Sequence, residues 1–320
     1  MLTSLNPSDA WNLASKDRLK AAVACPLNCR VAPSPTGHFH VGTLRTALHN
    51  YLLAKASGGQ FLLRVDDTDQ SRNHDDFTQL IFDSLSACGL NHDRIFYQSA
   101  RKNDHGKASQ HLLSQGYAIQ DGTAIRLNVD KILNIPTSFF DLSGGVTAIP
   151  QAFLDQSKGL VLVRSDGNPT YHFASIVDDI DADINLILRG ADHVANTTKQ
   201  LLIALALAQS GYPKAQKFVD QVLFAHVGLI TLKGKKLSKR DQQSDLSLYL
   251  KDGFPHQSLL QYVMPLGWGH PDSTFDKQYP IVDLKDMPSL FVQGGLRISN
   301  CSLDDNKLQS LKKKWVHLLK

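Results

Sequence analysis

The sequence predicts an α/β fold: a doubly wound parallel sheet, split by a small α+β insertion and followed by a largely helical C-terminal region. Three observations predict it. An apolar run beginning at Val31 is followed by a helix-period segment at 44–56 and a second apolar run at 60–65. That strand–helix–strand order is one half of such a sheet. Apolar β-type runs return at 159–164 and 184–188. Between the two halves, residues 98–158 change texture, with short β-type runs broken by glycine and proline turns.

Residues 1–26 form a polar, helix-prone extension. Residues 27–97 form the first half of the sheet domain, where Leu44, Leu48, Tyr51 and Leu52 share one helix face and Gly58-Gly59 stops the helix. Asp66-Asp67-Thr68-Asp69 closes the next strand at its carboxyl end, where a doubly wound sheet keeps its ligand crevice. An amphipathic helix follows at 77–88. Residues 98–158 are the insertion, with strands at 123–129 and 139–142 and turns at Pro136, Gly144-Gly145 and Pro150. Residues 159–245 resume the sheet domain: a strand at 159–164, a turn at 165–169, a strand at 184–188 ending on Arg189-Gly190, and an apolar helix at 197–209. Residues 246–320 read as short helices interrupted at Gly253, Pro255, Pro265 and Gly267.

A chain of 320 residues, 42% hydrophobic and 20% charged, can bury a substantial core in two or three domains. A net charge of +4 does not by itself declare a nucleic-acid binder. The charge is uneven, however: Lys307, Lys312, Lys313, Lys314 and Lys320 face no acid between 307 and 320. That cluster is either a solvated helix end or a phosphate-backbone contact. Cys25, Cys29, Cys88 and Cys301 lack the spacing of a zinc site or a disulfide framework, so reduced thiols and a cytoplasmic location are expected. Ala22-Val23-Ala24-Cys25 resembles a lipoprotein cleavage site, but Lys16, Asp17, Arg18 and Lys20 before it exclude a signal sequence. No apolar run approaches the roughly 20 residues of a membrane span.

Two signatures carry the chemistry. Pro33, Pro35 and Gly37 punctuate the chain before His40-Val41-Gly42-Thr43 opens a helix. Main-chain N–H groups at that helix end, with an imidazole able to donate to phosphate oxygens, suit a polyphosphate. Standing alone, His40 would read as a histidine packed in a turn. The second signature is Lys233-Gly234-Lys235-Lys236-Leu237-Ser238-Lys239-Arg240, with five cations in eight positions. A mobile basic loop closing over a leaving pyrophosphate fits it, and Lys239 is the residue assigned to that charge. By itself this run would read as a solvated basic turn or a nuclear-import signal. Together the two point to an enzyme that splits ATP at its α-phosphate.

Arg30, Asp66, Tyr171 and Arg189 each fall at or just past the end of an expected strand. Two arginines and an aspartate suit a ligand with two carboxylates and an amine. Internal salt bridges, such as Arg64 with Asp67, would account for some of these charges instead. The acidic run Asp178-Asp179-Ile180-Asp181-Ala182-Asp183 fails the calcium-loop pattern, since counting from Asp179 puts Ile184 where glycine is needed and Gly190 where glutamate is needed. It is expected as a solvated turn, and no metal ligands are assigned.

At these residues the chain closely resembles the glutamyl-tRNA synthetase family of class I aminoacyl-tRNA synthetases. His40-Val41-Gly42-Thr43 matches the family's HIGH signature and residues 236–240 its KMSKS signature. The runs 64–69, 164–174 and 189–193 match further family motifs, in the family's order, and the likeness extends over about 30–268. The resemblance implies a Rossmann core, an insertion that binds the tRNA acceptor stem and a helical stem-contact region. It implies glutamate and ATP with Mg²⁺ as substrates, tRNA as partner, a monomer and no membrane association. Residue by residue, Arg30, Ser34, Asp66, Tyr171 and Arg189 would hold glutamate. His40, Gly42, Lys236, Ser238 and Lys239 would serve ATP, with His40 and Lys239 catalytic. Asp66 and Ala191 stand where the family commonly has glutamate. Full-length members continue into an anticodon-binding domain, and in length this chain looks more like glutamyl-queuosine tRNA(Asp) synthetase. That family usually carries cysteines in the insertion, and residues 98–158 have none. The alternatives are therefore glutamyl transfer to the queuosine base of tRNA(Asp), transfer to a non-tRNA amine, or a non-catalytic tRNA- or protein-binding paralogue.

Overall fold

The computed structural model describes residues 15–68, 75–232, 234–237, 244–272, 275 and 280–320. Within them the first half of the chain runs α1 (Ser15–Ala22), β1 (Cys29–Val31), α2 (Val41–Ser57), β2 (Phe61–Val65), α3 (Asp75–Ala87) and β3 (Arg94–Tyr97). α4 (Lys102–Ser114), β4 (Ala118–Asp121), β5 (Ala124–Leu127), β6 (Ser138–Asp141), β7 (Gly145–Ala148), α5 (Gln151–Gln156) and β8 (Val161–Val163) follow. The chain then forms α6 (Tyr171–Asp181), β9 (Leu186–Gly190), α7 (Val194–Gln209), α8 (Ala215–Gln221), β10 (Leu223–Val227), β11 (Ile230–Leu232) and β12 (Lys235–Lys236). Its last elements are α9 (Leu246–Lys251), α10 (His256–Val263), β13 (Trp268–Gly269), α11 (Met287–Phe291), β14 (Gly295–Leu296), β15 (Cys301–Ser302) and α12 (Asp305–Leu318).

The Rossmann-type sheet expected from the sequence is the sheet observed. Seven strands lie in the order β3-β2-β1-β9-β10-β6-β7. All neighbours are parallel except β6 and β7, which form an antiparallel hairpin at one edge. Alternation along each strand sends side chains into two separate cores. Phe61, Leu63 and Val65 enter the core that α2 also enters, while Leu62 enters the core of α6 and α7. Ile187 and Phe224 side with Leu62, whereas Leu186, Leu188, Ala225 and Val227 side with Phe61. α2 stops at Gly58, whose φ of 71° is open to glycine at little cost, and whose N–H closes on Ala54 and Lys55 carbonyls.

The region expected as an insertion divides differently. β4, β5 and β8 form a small antiparallel sheet of their own. β6 and β7, inside residues 98–158, instead join the central sheet through β10. Conversely Val161–Val163, expected to resume the central sheet, belongs to the small one. Short apolar runs carry no label for the sheet they join; pairing partners far along the chain decide it.

The acidic run is another difference. Asp178 and Asp179 are 0% and 1% exposed and lie on α6 rather than in a solvated turn. Helical period places them on the inner face with Ser175, where Asp179 meets the sheet arginines and Asp178 meets Gln98, Arg101 and His105. The basic C-terminal run forms α12, which packs through Leu308, Leu311 and Trp315, leaves Lys313 and Lys314 exposed, and lays Lys312 over Phe254 with its ammonium on the Asp252 carbonyl. Among the described residues no helix is long and apolar enough to cross a membrane.

Candidate active site

A cleft of about 570 Å³ opens at the carboxyl ends of β1 and β9. Chain connections leave these neighbouring strands in opposite directions, towards β2 and β3 on one side and β10 on the other. Such a switch point is where a doubly wound sheet leaves a crevice.

One wall comes from the loop after β1 and the start of α2. His40 is the N-cap of α2, in extended conformation, and its Nδ1 accepts the Gly42 N–H at 2.8 Å. Acceptance at Nδ1 makes Nε2 the nitrogen that can donate. A β-carbon on Gly42 would lie 3.0 Å from His40 Nδ1, so glycine lets this cap close tightly. His40, Gly42 and Thr43 all line the cleft. The end of a helix of 17 residues, presenting its first N–H groups there, is an anion seat.

The floor is cationic. Arg30, Arg64 and Arg189 stand near the ends of β1, β2 and β9, and all three line the cleft. Strand alternation puts them on the face towards α6 and α7, in line with Leu62 and Ile187. Arg30 grips Asp179 with two hydrogen bonds, 3.0 and 3.1 Å. Arg64 donates to Asp66 at 2.6 and 3.3 Å and to Asp179 at 2.8 Å. Burial pushes the Asp66 carboxyl up from its ordinary value, against the opposing pull of Arg64. Arg189 has no carboxylate partner in this network. Its Nη1 makes no hydrogen bond among the described residues, although the Tyr171 phenol stands close enough to favour its charge. Burial lowers the Arg189 guanidinium to about 10, which still leaves it charged at neutral pH.

The structure therefore brings together His40, Gly42, Arg30, Tyr171 and Arg189 on one cleft. Asp66 sits behind the wall with its carboxylate held by Arg64, and Ser34 is exposed, outside the lining. Ser238 and Lys239 lie outside the described residues, and Lys236 is described only as main chain in β12. The residues on either side of 238–243 do reach the site. Leu237 is buried and lines the cleft, and Asp245 bridges His40 main chain to main chain. The Asp66-Asp67 pair also splits its work: Arg64 engages Asp66 rather than serving as an expected Asp67 partner, and Asp67 accepts from the Ser99 N–H and hydroxyl at 2.7 and 2.6 Å.

Several residues that sequence reasoning passed over take part. Asp179 pairs with two of the arginines, and His193 meets the Tyr171 hydroxyl at 3.5 Å. His226 on β10 stands in register with Arg189. A polar residue interrupting an apolar strand was the available signal for His226, as it is for Arg64. No group of three or more His, Cys, Asp or Glu side chains that could hold a metal occurs among the described residues.

Comparison with known proteins bears on the same region. The family model described as "tRNA synthetases class I (E and Q), catalytic domain" matches residues 26–131 and 122–281. A curated relative from Neorickettsia sennetsu, named glutamate–tRNA ligase 2, is 37% identical over 288 residues, covering 90% of this chain and 65% of the relative. Another glutamate–tRNA ligase 2, from Anaplasma marginale, is 33% identical over 325 residues, covering 90% and 66%. The chain thus spans about two thirds of the length of these relatives. Among solved structures, a glutamate tRNA ligase from Elizabethkingia meningosepticum in complex with its amino acid has the same fold. It superposes with a TM-score of 0.76 at 24% identity, covering 92% of this chain and 70% of that one.

Proposed function

The chain belongs to the class I tRNA synthetase (E and Q) catalytic-domain family, and from that premise we propose that it activates glutamate with ATP and passes it to tRNA. The observation that carries this reading is the single cleft shared by the α2 N-terminus and the unpaired edge of Arg189. One end suits phosphate and the other suits carboxylate.

In the first step the α-carboxylate oxygen of glutamate attacks the α-phosphorus of ATP in line. A new acyl–phosphate P–O bond forms, the α–β bridging P–O bond breaks, and pyrophosphate leaves with the bond's electrons. His40 Nε2 and the first N–H groups of α2 are assigned to the phosphate oxygens, with Gly42 allowing the approach. Lys239, with Lys236 and Ser238, is assigned from its signature to the departing pyrophosphate. Mg²⁺, which the family resemblance implies as part of the ATP substrate, would supply neutralising charge; no side chain of the described residues is assigned to hold it. Arg189 and Arg30, with Tyr171 beside them, are assigned to glutamate; Ser34 and Asp66 complete the set by resemblance. Holding two reactants in one geometry is the main catalytic device, and a single well-placed charge donor can lower the barrier by about 3–4 kcal/mol. In the second step a hydroxyl oxygen of the tRNA terminus attacks the acyl carbon, the ester C–O bond forms as the acyl C–O bond to phosphate breaks, and AMP leaves with that bond's electrons while the hydroxyl proton passes to its phosphate or to water.

Glutamate-dependent exchange of labelled pyrophosphate into ATP, run with and without tRNA, tests the reading. Exchange that requires glutamate supports it. No exchange under either condition contradicts it and favours a binding module. The acceptor is then settled by mild alkali, which strips a ribose ester but spares glutamate attached to a modified base.

A further inference from the structure

The unpaired edge of Arg189 is held from behind by a chain of buried side chains. Arg189 Nε donates to His226 Nε2 at 3.2 Å and Nη2 donates to Thr197 Oγ1 at 2.8 Å. Thr197 Oγ1 lies 3.1 Å from the same His226 nitrogen. The other ring nitrogen, Nδ1, lies 2.5 Å from Asp141 Oδ2. Asp141 is itself anchored, because its Oδ1 accepts the Ser143, Gly144 and His226 main-chain N–H groups at 2.8, 3.0 and 3.3 Å. His226, Asp141, Thr197 and Arg189 are all buried.

These contacts admit one proton arrangement. A carboxylate at Nδ1 fixes the ring proton there, so Nε2 offers a lone pair towards the Arg189 and Thr197 donors. Thr197 accepts from Nη2, and its hydroxyl shares the single Nε2 lone pair with the Arg189 Nε–H. Burial holds the His226 imidazole below its ordinary value, aided by Arg189 and opposed by Asp141, which keeps that lone pair available. Two of the three guanidinium nitrogens are thereby committed to the protein; Nη1, buried beside the Tyr171 phenol, makes no hydrogen bond among the described residues, so a ligand carboxylate reaches it only where Tyr171 gives way.

We propose that Thr197 and His226, braced by Asp141, are positioning residues that aim Nη1 of Arg189 at a carboxylate of the bound amino acid. The proposal rests on the reading that the cleft takes glutamate. Neither residue touches the substrate; they remove the rotamer freedom that a long cationic side chain would otherwise lose on binding.

Titration calorimetry of glutamate into the full chain separates the two claims, using Thr197→Val and His226→Leu against Thr197→Ser and His226→Gln. Thr197→Val is close to isosteric and removes one hydroxyl, so it tests the idea even where His226→Leu does not fold. We expect Thr197→Val and His226→Leu to weaken glutamate binding about tenfold while ATP binding holds. Thr197→Ser and His226→Gln, which keep an acceptor for Arg189, should stay within about threefold of the unaltered protein. A purely structural role would not divide the variants this way. A folded Thr197→Val protein that binds glutamate as tightly as the unaltered chain overturns the proposal alone. An unaltered chain that takes up no glutamate overturns the reading beneath it, and the proposal with it.

Discussion

Of the three arginines that the sheet strands bring to the cleft, two arrive already paired, and one carboxylate does most of the pairing. Asp179 receives Arg30 through both oxygens and Arg64 through one. All three side chains are buried, so removing the acid would strand two guanidinium groups with only Asp66 to balance them. Asp179→Asn should lower stability by about 3–5 kcal/mol, read as the shift in a chemical denaturation curve. A change below about 1 kcal/mol would show that the network is solvated rather than buried.

His49 shows a second residue-scale effect, one that depends on pH. Its ring is fully buried against Phe291, with Nε2 2.9 Å from the Met264 carbonyl and no hydrogen-bond partner at Nδ1 among the described residues. Burial, reinforced by Arg45, lowers it to about 3. The unfolded chain therefore binds the proton first, so stability present above the ordinary histidine range drains away as pH falls. Between pH 7 and pH 5 the loss from this group should be about 2 kcal/mol. Denaturation of the unaltered chain and of His49→Gln at both values isolates it: the variant should lack that share of the pH dependence.

At the scale of elements, how much was legible depends on whether the deciding contacts are local. α2, β2 and the strand ending at Arg189-Gly190 follow from periodicity and glycine stops within a few residues of where they lie. The edge hairpin β6–β7 could not be placed, because its partner β10 is some eighty residues away. A run of acids such as Asp178 and Asp179 looks solvated until the groups facing it are known; Asp178 faces the basic Arg101 and His105 and the amide of Gln98. Candidate site residues show the same division. Strand-end position found Arg30 and Arg189, whereas the partners that bias them, Asp179 and His226, come from other elements. Tertiary packing also decides the fate of the basic C-terminal run. Trp315 of α12 is buried on α10 and donates to Gln261 at 2.8 Å. Trp315→Ala should destabilise the chain by about 3–5 kcal/mol, checked by thermal or chemical unfolding, and an unchanged midpoint would mean that α12 is not docked.

Across the whole molecule, the sheet order converts distant sequence into one site. The groups proposed to seat phosphate come from the loop after β1 and those proposed to seat carboxylate from β9, some 150 residues later, yet β1 and β9 are neighbours. The crevice between them is where the family's chemistry would have to occur. A crystal structure of the protein with a non-hydrolysable glutamyl-adenylate analogue tests this most directly. The expected result is a phosphate oxygen on His40 and the α2 N-terminus, and a carboxylate within hydrogen-bonding reach of Arg189 Nη1, in one continuous cleft. An analogue bound elsewhere, or lying in the cleft with its carboxylate turned away from Arg189, would contradict the account.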